Sequence, residues 1–245
     1  MYFIKIMSAN THFSFKQFTI HQDQTAMKVT TDACIFGAYT LIDGTKKILD
    51  IGTGTGLVAM MLAQRTQAQI DAVEIENRAY NQAVKNIQES IFKEQIKVFN
   101  TSIQLFSTRS EQQNQYDLIV SNPPFFQNHL KAKQATRNNS LHTDTLSFED
   151  LIHSVLQLIS SVGTFVILLP LYESSVFEEL SIPQGLYPQK KLTIRHRKDT
   201  KILRIITTFG FTKTQTQEEN LIIKNPDESY SLAFEMLLQD YYLIF

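Results

Sequence analysis

The chain has no tryptophan and a single cysteine, Cys34, in 245 residues. One thiol excludes an internal disulfide and fits a reducing compartment. No His/Asn pattern accompanies Cys34, so it reads as a buried structural thiol rather than a nucleophile. Charge of one sign is lacking too: 23 Lys and Arg against 24 Asp and Glu leave a formal net charge of −1. No global field therefore draws the protein to nucleic acid or membrane, and any such role must rest on a local patch. No apolar run approaches the ~20 residues of a membrane-spanning helix. The opening "MYFIKIMSANTHFSF" is apolar for only a few residues and carries no small-residue cleavage pattern, so no signal peptide is read. Met7 offers an alternative start. These absences point to a cytoplasmic protein, expected to be a monomer.

What is present is an ordinary globular composition, 43% apolar and 19% charged, sufficient for one large α/β domain. Short apolar runs alternate with helical periodicity. Strands are expected at 47–50, 70–75, 96–99, 118–121 and 164–170. Helices are expected at 57–64, 77–90 and 148–159, the last with Leu151, Ile152, Val155, Leu156 and Ile159 on one side. Gly163 is read as the turn into the "TFVILLP" strand. Such alternation implies a doubly wound, Rossmann-like α/β fold with a mostly parallel sheet, here taken as seven-stranded. After Pro170 the rhythm changes: "KKLTIRHRKDTKILRIITTFGF" reads as an antiparallel C-terminal hairpin around Lys198-Asp199-Thr200. The tail from Ser231 reads as a helix and a docked aromatic end. Residues 13–39 read as a strand, a polar turn and a short helix capped by Asp32.

Two motifs carry chemistry. "ILDIGTGTGL" puts Gly52, Gly54 and Gly56 between a strand and a helix. Glycines there let backbone approach a ligand, and a helix N-terminus offers free N–H groups. At the end of the next strand stands Glu74, a carboxylate able to accept hydrogen bonds from ribose hydroxyls. Glu76 is the competing acid, but it falls past the strand end. The G-x-G-x-G spacing, preceded by Asp50, differs from the G-x-G-x-x-G of dinucleotide sites. It resembles motif I of the class I S-adenosylmethionine-dependent methyltransferases. That resemblance implies S-adenosylmethionine as cofactor, with the glycine loop under its methionine and sugar and Glu74 on the ribose. Family members often carry an Asp at the end of the third strand, facing the adenine amine; Ser102 stands at the matching position.

The second motif is "YDLIVSNPPFF". Two prolines end the strand, with Asn122 before them and Phe125 after. The stretch resembles the N-P-P-[FY] signature of amino-methyltransferases. An exocyclic amine is a poor nucleophile because its lone pair is delocalised into the ring. The Asn122 side-chain oxygen and the Pro123 carbonyl, accepting its two hydrogens, localise that pair. Phe125 stacks on the base, worth roughly 1–3 kcal/mol; Phe126 is assigned to the core. His129, His142 and His196 have no metal-ligand spacing, and no metal is expected.

The order "FKQF", "AMKV", "TDA", "ILDIGTGTGL", "DAVEIE", "YDLIVSNPPFF", "NPDESYSLAF" and "DYYLIF" is similar, over nearly the whole chain, to the bacterial adenine-37 N6-methyltransferases of a valine tRNA. This implies methyl transfer to N6 of A37 beside the anticodon, and tRNA, through its anticodon stem-loop, as partner. It also implies one domain: an extension over 1–45, with Lys28, Thr31 and Asp32 closing over the cofactor, and a core over 46–245. Charge agrees locally. Lys190, Lys191, Arg195, Arg197, Lys198, Lys201 and Arg204 face one acid, Asp199, a net +6 by count. Lys131, Lys133 and Arg137 follow the second motif. Together they form an expected RNA-binding rim, although a solvated hairpin would read the same way. Other acceptors remain open: guanine N2 of rRNA, adenine N6 of DNA, or a release-factor glutamine. So does a non-catalytic relic of the fold.

Overall fold

The computed structural model describes residues 11–25, 28–123 and 146–245. Phe125, Phe126, His129, Lys131, Lys133, Arg137 and His142 lie outside the described residues.

The chain opens with a hairpin of β1 (His12–Ser14) and β2 (Thr19–His21), followed by α1 (Thr31–Tyr39). The cap of α1 is Thr30 rather than Asp32: its hydroxyl accepts the Ala33 N–H at 3.4 Å. Asp32 sits inside the first turn, where a carboxylate also favours the helix N-terminus. The alternating core follows as β3 (Lys47–Ile51), α2 (Leu57–Ala63), β4 (Gln69–Glu74), α3 (Asn77–Gln88), β5 (Ile96–Asn100), α4 (Ile103–Ser107) and β6 (Tyr116–Ser121). Then come α5 (Phe148–Leu158), β7 (Ile159–Leu169) and α6 (Leu171–Ser181). The chain ends with β8 (Tyr187–Arg195), β9 (Ile202–Gly210), β10 (Gln217–Ile222) and α7 (Leu232–Leu238).

The main sheet has eight strands in the order β10-β8-β9-β7-β6-β3-β4-β5. The strand beyond the expected seven is β10, which pairs parallel with β8 at the edge. Its polar run "QEEN" hides it from a hydrophobic scan, and such charge is what blunts an exposed sheet edge. β3 to β7 run parallel, and β9 is antiparallel to both β7 and β8. A second difference concerns Gly163. It does not turn the chain; β7 runs through it from Ile159. A Cβ there would fall 2.7 Å from the Tyr116 carbonyl oxygen. Glycine is required because β6 and β7 crowd together where their register shifts, between Tyr116 and Leu118.

Helices cover both faces. On one, α1, the wholly buried α2, Ile87 of α3, Phe234 and Leu238 of α7, and the aromatic tail share a core with Phe15, Phe18 and Ile20. On the other, α4, α5 and α6 pack Phe106, Phe148 and Phe177 against Phe165 and Phe209. α5 is set by its Ser147 cap, which accepts the Asp150 N–H at 3.0 Å, and by its apolar stripe. Cys34 is buried and free, its thiol pushed up to about 12 by that burial, so it is a core residue. Among the described residues no helix is long and apolar enough to cross a membrane.

Candidate functional site

The chain runs β3, β4, β5 toward one sheet edge, then returns to lay β6 on the other side of β3. Ligands of open α/β sheets bind at such a reversal, beyond the carboxyl ends of the strands. Both sequence motifs meet there. Ser121, the last residue of β6, is in register with Ile51, the last of β3. The Ser121 hydroxyl donates to the Ile51 carbonyl at 3.0 Å and ties the two ends together. The next residues are therefore neighbours across the strand gap of about 4.8 Å: Asn122 on one side and Gly52 on the other.

The glycine turn is held from beneath. Gly52 and Thr53 both donate to the Val73 carbonyl, at 2.9 and 3.1 Å. Gly52, Gly54 and Gly56 have φ of 73°, 59° and 84°, a region costly for any residue with a Cβ. At Gly52 and Gly54 an added Cβ would meet nothing within 4 Å, whereas at Gly56 it would touch Ile87 at 3.4 Å. The first two thus border open space at the cleft, and the third packs on α3.

Asp50 does not line that space, which corrects its expected place among the ligand contacts. It is 1% exposed, lying under the turn, and accepts the Thr53 hydroxyl at 2.6 Å. Burial pushes its carboxyl up to about 7, against the pull of hydrogen bonds from Thr53 and the Ala59 N–H, and nearby Glu74 adds to the rise. Glu74 ends β4 as expected. One carboxylate oxygen accepts the Gly54 N–H and the other the Glu76 N–H, both at 2.9 Å. A carboxylate offers about four acceptor sites, so two remain for hydroxyls. Glu76 is the cap of α3, accepting the N–H groups of Arg78 and Ala79, and is spent on that helix.

Ser102 stands at the end of β5, but as the cap of α4: its hydroxyl accepts the Leu105 N–H at 3.2 Å. Its hydrogen stays free to donate, so it suits a ring nitrogen better than an amine. Sequence reasoning missed Ile75. The strand expected over 70–75 runs through it, yet β4 ends at Glu74 and Ile75 is 57% exposed directly after it. The signal was an apolar residue wedged between two acids.

Asn122 is half-buried and Pro123 buried. Among the described residues the Asn122 carboxamide has no hydrogen-bond partner. The three residues expected to close over the cofactor have partners within the chain. Lys28 donates to the Gln22 carbonyl, Thr31 bonds Tyr242, and Asp32 pairs with Arg204 at 3.0 Å.

The cationic hairpin divides. β8 runs parallel to β7, so the β8–β9 tip, His196 to Lys201, lies at the same carboxyl edge as the glycine turn. Lys198 and Lys201 are exposed there, with no acidic partner among the described residues. Arg195 donates to the Thr200 carbonyl at 2.5 Å and braces the tip. Arg197 pairs with Glu228. Lys190 and Lys191, five and four residues back from Arg195, lie about 13–16 Å down the strand. They pair with Glu219 at 2.9 Å and Glu178 at 2.5 Å. Lys190 also lies over the Tyr39 ring, and its hydrogen bond holds the Glu219 carboxyl below the usual range. Four of the hairpin's seven expected RNA ligands, Lys190, Lys191, Arg197 and Arg204, are thus matched by acids from distant parts of the chain.

Comparison with known proteins adds to this geometry. The methyltransferase small domain family matches residues 38–143. A tRNA1(Val) (adenine(37)-N6)-methyltransferase from Bacteroides fragilis is 40% identical over 231 residues, 94% of this chain and 97% of that protein. One of the same description from Trichodesmium erythraeum is 41% identical over 234 residues, 94% and 97% of the two chains. Among solved structures, a predicted O-methyltransferase from Agrobacterium tumefaciens superposes with a TM-score of 0.67 at 15% identity. It covers 84% of this chain and 95% of its own, a likeness of fold.

Proposed function

We propose, from the premise that this chain belongs to the bacterial tRNA1(Val) (adenine(37)-N6)-methyltransferase family, that it methylates the exocyclic N6 amine of adenine 37 in that tRNA. The whole chain works as one S-adenosylmethionine-dependent methyltransferase domain, and its relatives match it over almost their full length. The observation that carries the reading is the Asn122 carboxamide, without a hydrogen-bond partner among the described residues, one residue beyond the Ile51–Ser121 pair that leads into the glycine turn.

S-adenosylmethionine, when bound, supplies an electrophilic methyl group. The residues fit it: an added Cβ at Gly52 or Gly54 would meet nothing within 4 Å among the described residues, and Glu74 keeps acceptor sites for ribose hydroxyls. Ile75 gives an apolar wall for adenine, and Ser102 a hydroxyl hydrogen. Methyl transfer needs an acceptor about 3 Å away and aligned. Asn122 Oδ1 and the Pro123 carbonyl accept the two amine hydrogens, which localises the nitrogen lone pair and fixes its direction. The spare proton leaves to water after the methyl has been gained. No strong base is needed.

A base beside the anticodon is stacked and has to swing out to react. Phe125 receives it, with Lys131, Lys133 and Arg137 near the same loop on phosphates. Further contacts come from the hairpin tip at the carboxyl edge of the sheet, chiefly Lys198 and Lys201. Purified protein with S-adenosylmethionine and transcripts of the valine tRNA, followed by nucleoside mass spectrometry, tests the reading. N6-methyladenosine at position 37 is expected; methylation of a guanine or of a glutamine peptide instead overturns it.

A further inference from the structure

We infer that Asn86 is a positioning residue for methyl transfer, locking the exit of β2 onto the glycine turn so that the two move as one piece. Asn86 lies on α3, 1% exposed, and touches neither the cleft nor its expected ligands. Its Oδ1 accepts the His21 N–H at 2.9 Å. Its Nδ2 donates to the His21 carbonyl and to the Thr55 carbonyl, each at 2.9 Å. Thr55 stands between Gly54 and Gly56. One carboxamide therefore spends both its N–H groups and an acceptor on joining two segments 34 residues apart in sequence.

The neighbourhood repeats the device. Gln82, one turn earlier on the same face of α3 and fully buried, accepts the Gln24 N–H at 3.1 Å, and its own amino group has no partner among the described residues. Gln22, 4% exposed, accepts the Val29 N–H at 2.7 Å. Beside the apolar packing of Phe15, Phe18 and Ile20, the seam between the N-terminal segment and the motif-bearing core is thus crossed by side-chain amides of α3 on backbone groups, with Gln22 bracing the segment itself. Apolar packing tolerates sliding. A buried amide bonded to three backbone groups does not, because any shift strands a polar group away from water. The hairpin continues past His21, with the Gln22 N–H donating to the Thr11 carbonyl at 2.8 Å, so His21 turns its own N–H and C=O away from β1 and needs partners from elsewhere, and Asn86 provides them from the helix that also supports Gly56. The consequence is a shared register. A donor that orders the glycine turn orders the chain entering Lys28–Asp32, and loss of the lock weakens donor binding while leaving the acceptor grip of Asn122 intact.

This inference rests on the glycine turn being the donor's seat. The test measures KM for S-adenosylmethionine and kcat at saturation in the full chain. Asn86→Ala is expected to raise that KM about tenfold, the worth of one net hydrogen bond or more, with kcat changed by less than about threefold. Phe177→Leu, a packing loss on the opposite face of the sheet, serves as a control for lowered stability and shifts neither. Should Asn86→Ala fail to fold, the backbone bond is broken alone. His21→Pro removes the N–H that Asn86 receives, whereas His21→Ala keeps it. The first raises KM several-fold and the second behaves as wild type. A KM in Asn86→Ala no higher than in Phe177→Leu, or His21→Pro matching His21→Ala, overturns the lock. Gly54→Val in the same assay separates the premise: unimpaired donor binding there condemns the seat itself.

Discussion

The glycine turn after β3 and the cationic hairpin β8–β9 reach the same edge of one sheet by different routes. The turn is a local object. Three positive-φ glycines, a buried acid and the next strand's carboxylate build it from residues 50–74, and most of its hydrogen bonds close within that span, the Asn86 bond to the Thr55 carbonyl coming from beyond it. The hairpin's electrostatics are not local. Its cations are answered by Asp32 from α1, Glu178 from α6, Glu219 from β10 and Glu228 from the loop before α7. A motif whose geometry is backbone carries its meaning with it. A run of charge takes its meaning from whatever folds against it.

The largest effect that would sharpen this contrast is expected from Asn122→Ala. Without its carboxamide, kcat should fall by about 10²–10³, as when a single oriented polar group is removed from an active site. The Kd for S-adenosylmethionine should stay within a few-fold. Full activity would remove Asn122 from the chemistry. Next is Gly54→Ala, which forces a Cβ into positive φ at a strain of about 1–2 kcal/mol and fills the cleft. Calorimetry should show donor affinity down tenfold or more, with a smaller fall in Tm.

Asp50→Asn tests the underside of the turn through pH. Burial raises the Asp50 carboxyl from 3.8 to about 7. Its stability contribution is therefore whole below pH 4 and is lost as pH rises to 7, because the unfolded chain ionises first. The variant should equal or trail the wild type at pH 4 and exceed it at pH 8, by a few kcal/mol at most. A stability difference that does not change between those two pH values would contradict the assignment. The smallest effects belong to the hairpin. Lys198→Ala and Lys201→Ala should each reduce the salt slope of tRNA binding by about one. Lys190→Ala and Lys191→Ala should leave that slope alone and cost roughly 0–1 kcal/mol of stability. If all four alike change the slope, the division of the hairpin is wrong.

How much was legible follows from the same distinction. Strand β3, the turn, Glu74, strand β6 and the amphipathic α5 were readable because each is announced within a dozen residues. Thr30 as cap, the passage of β7 through Gly163, and β10 were not, since each depends on which neighbour satisfies the backbone. Asn86 looked like one polar residue on a polar helix. Nothing nearby in sequence marks it as the partner of His21 and Thr55.

The residue order by itself determined the type of chemistry: glycines where only positive φ fits, a carboxylate one strand later, and an amide before two prolines. Tertiary structure decided which of those groups face the cleft, put Asn122 beside Gly52, moved Asp50 beneath the turn, and cancelled most of the hairpin's charge. The reason is range. Backbone conformation is fixed by the residue and its immediate neighbours, whereas exposure, pairing and net local charge belong to whatever the fold brings within a few ångströms.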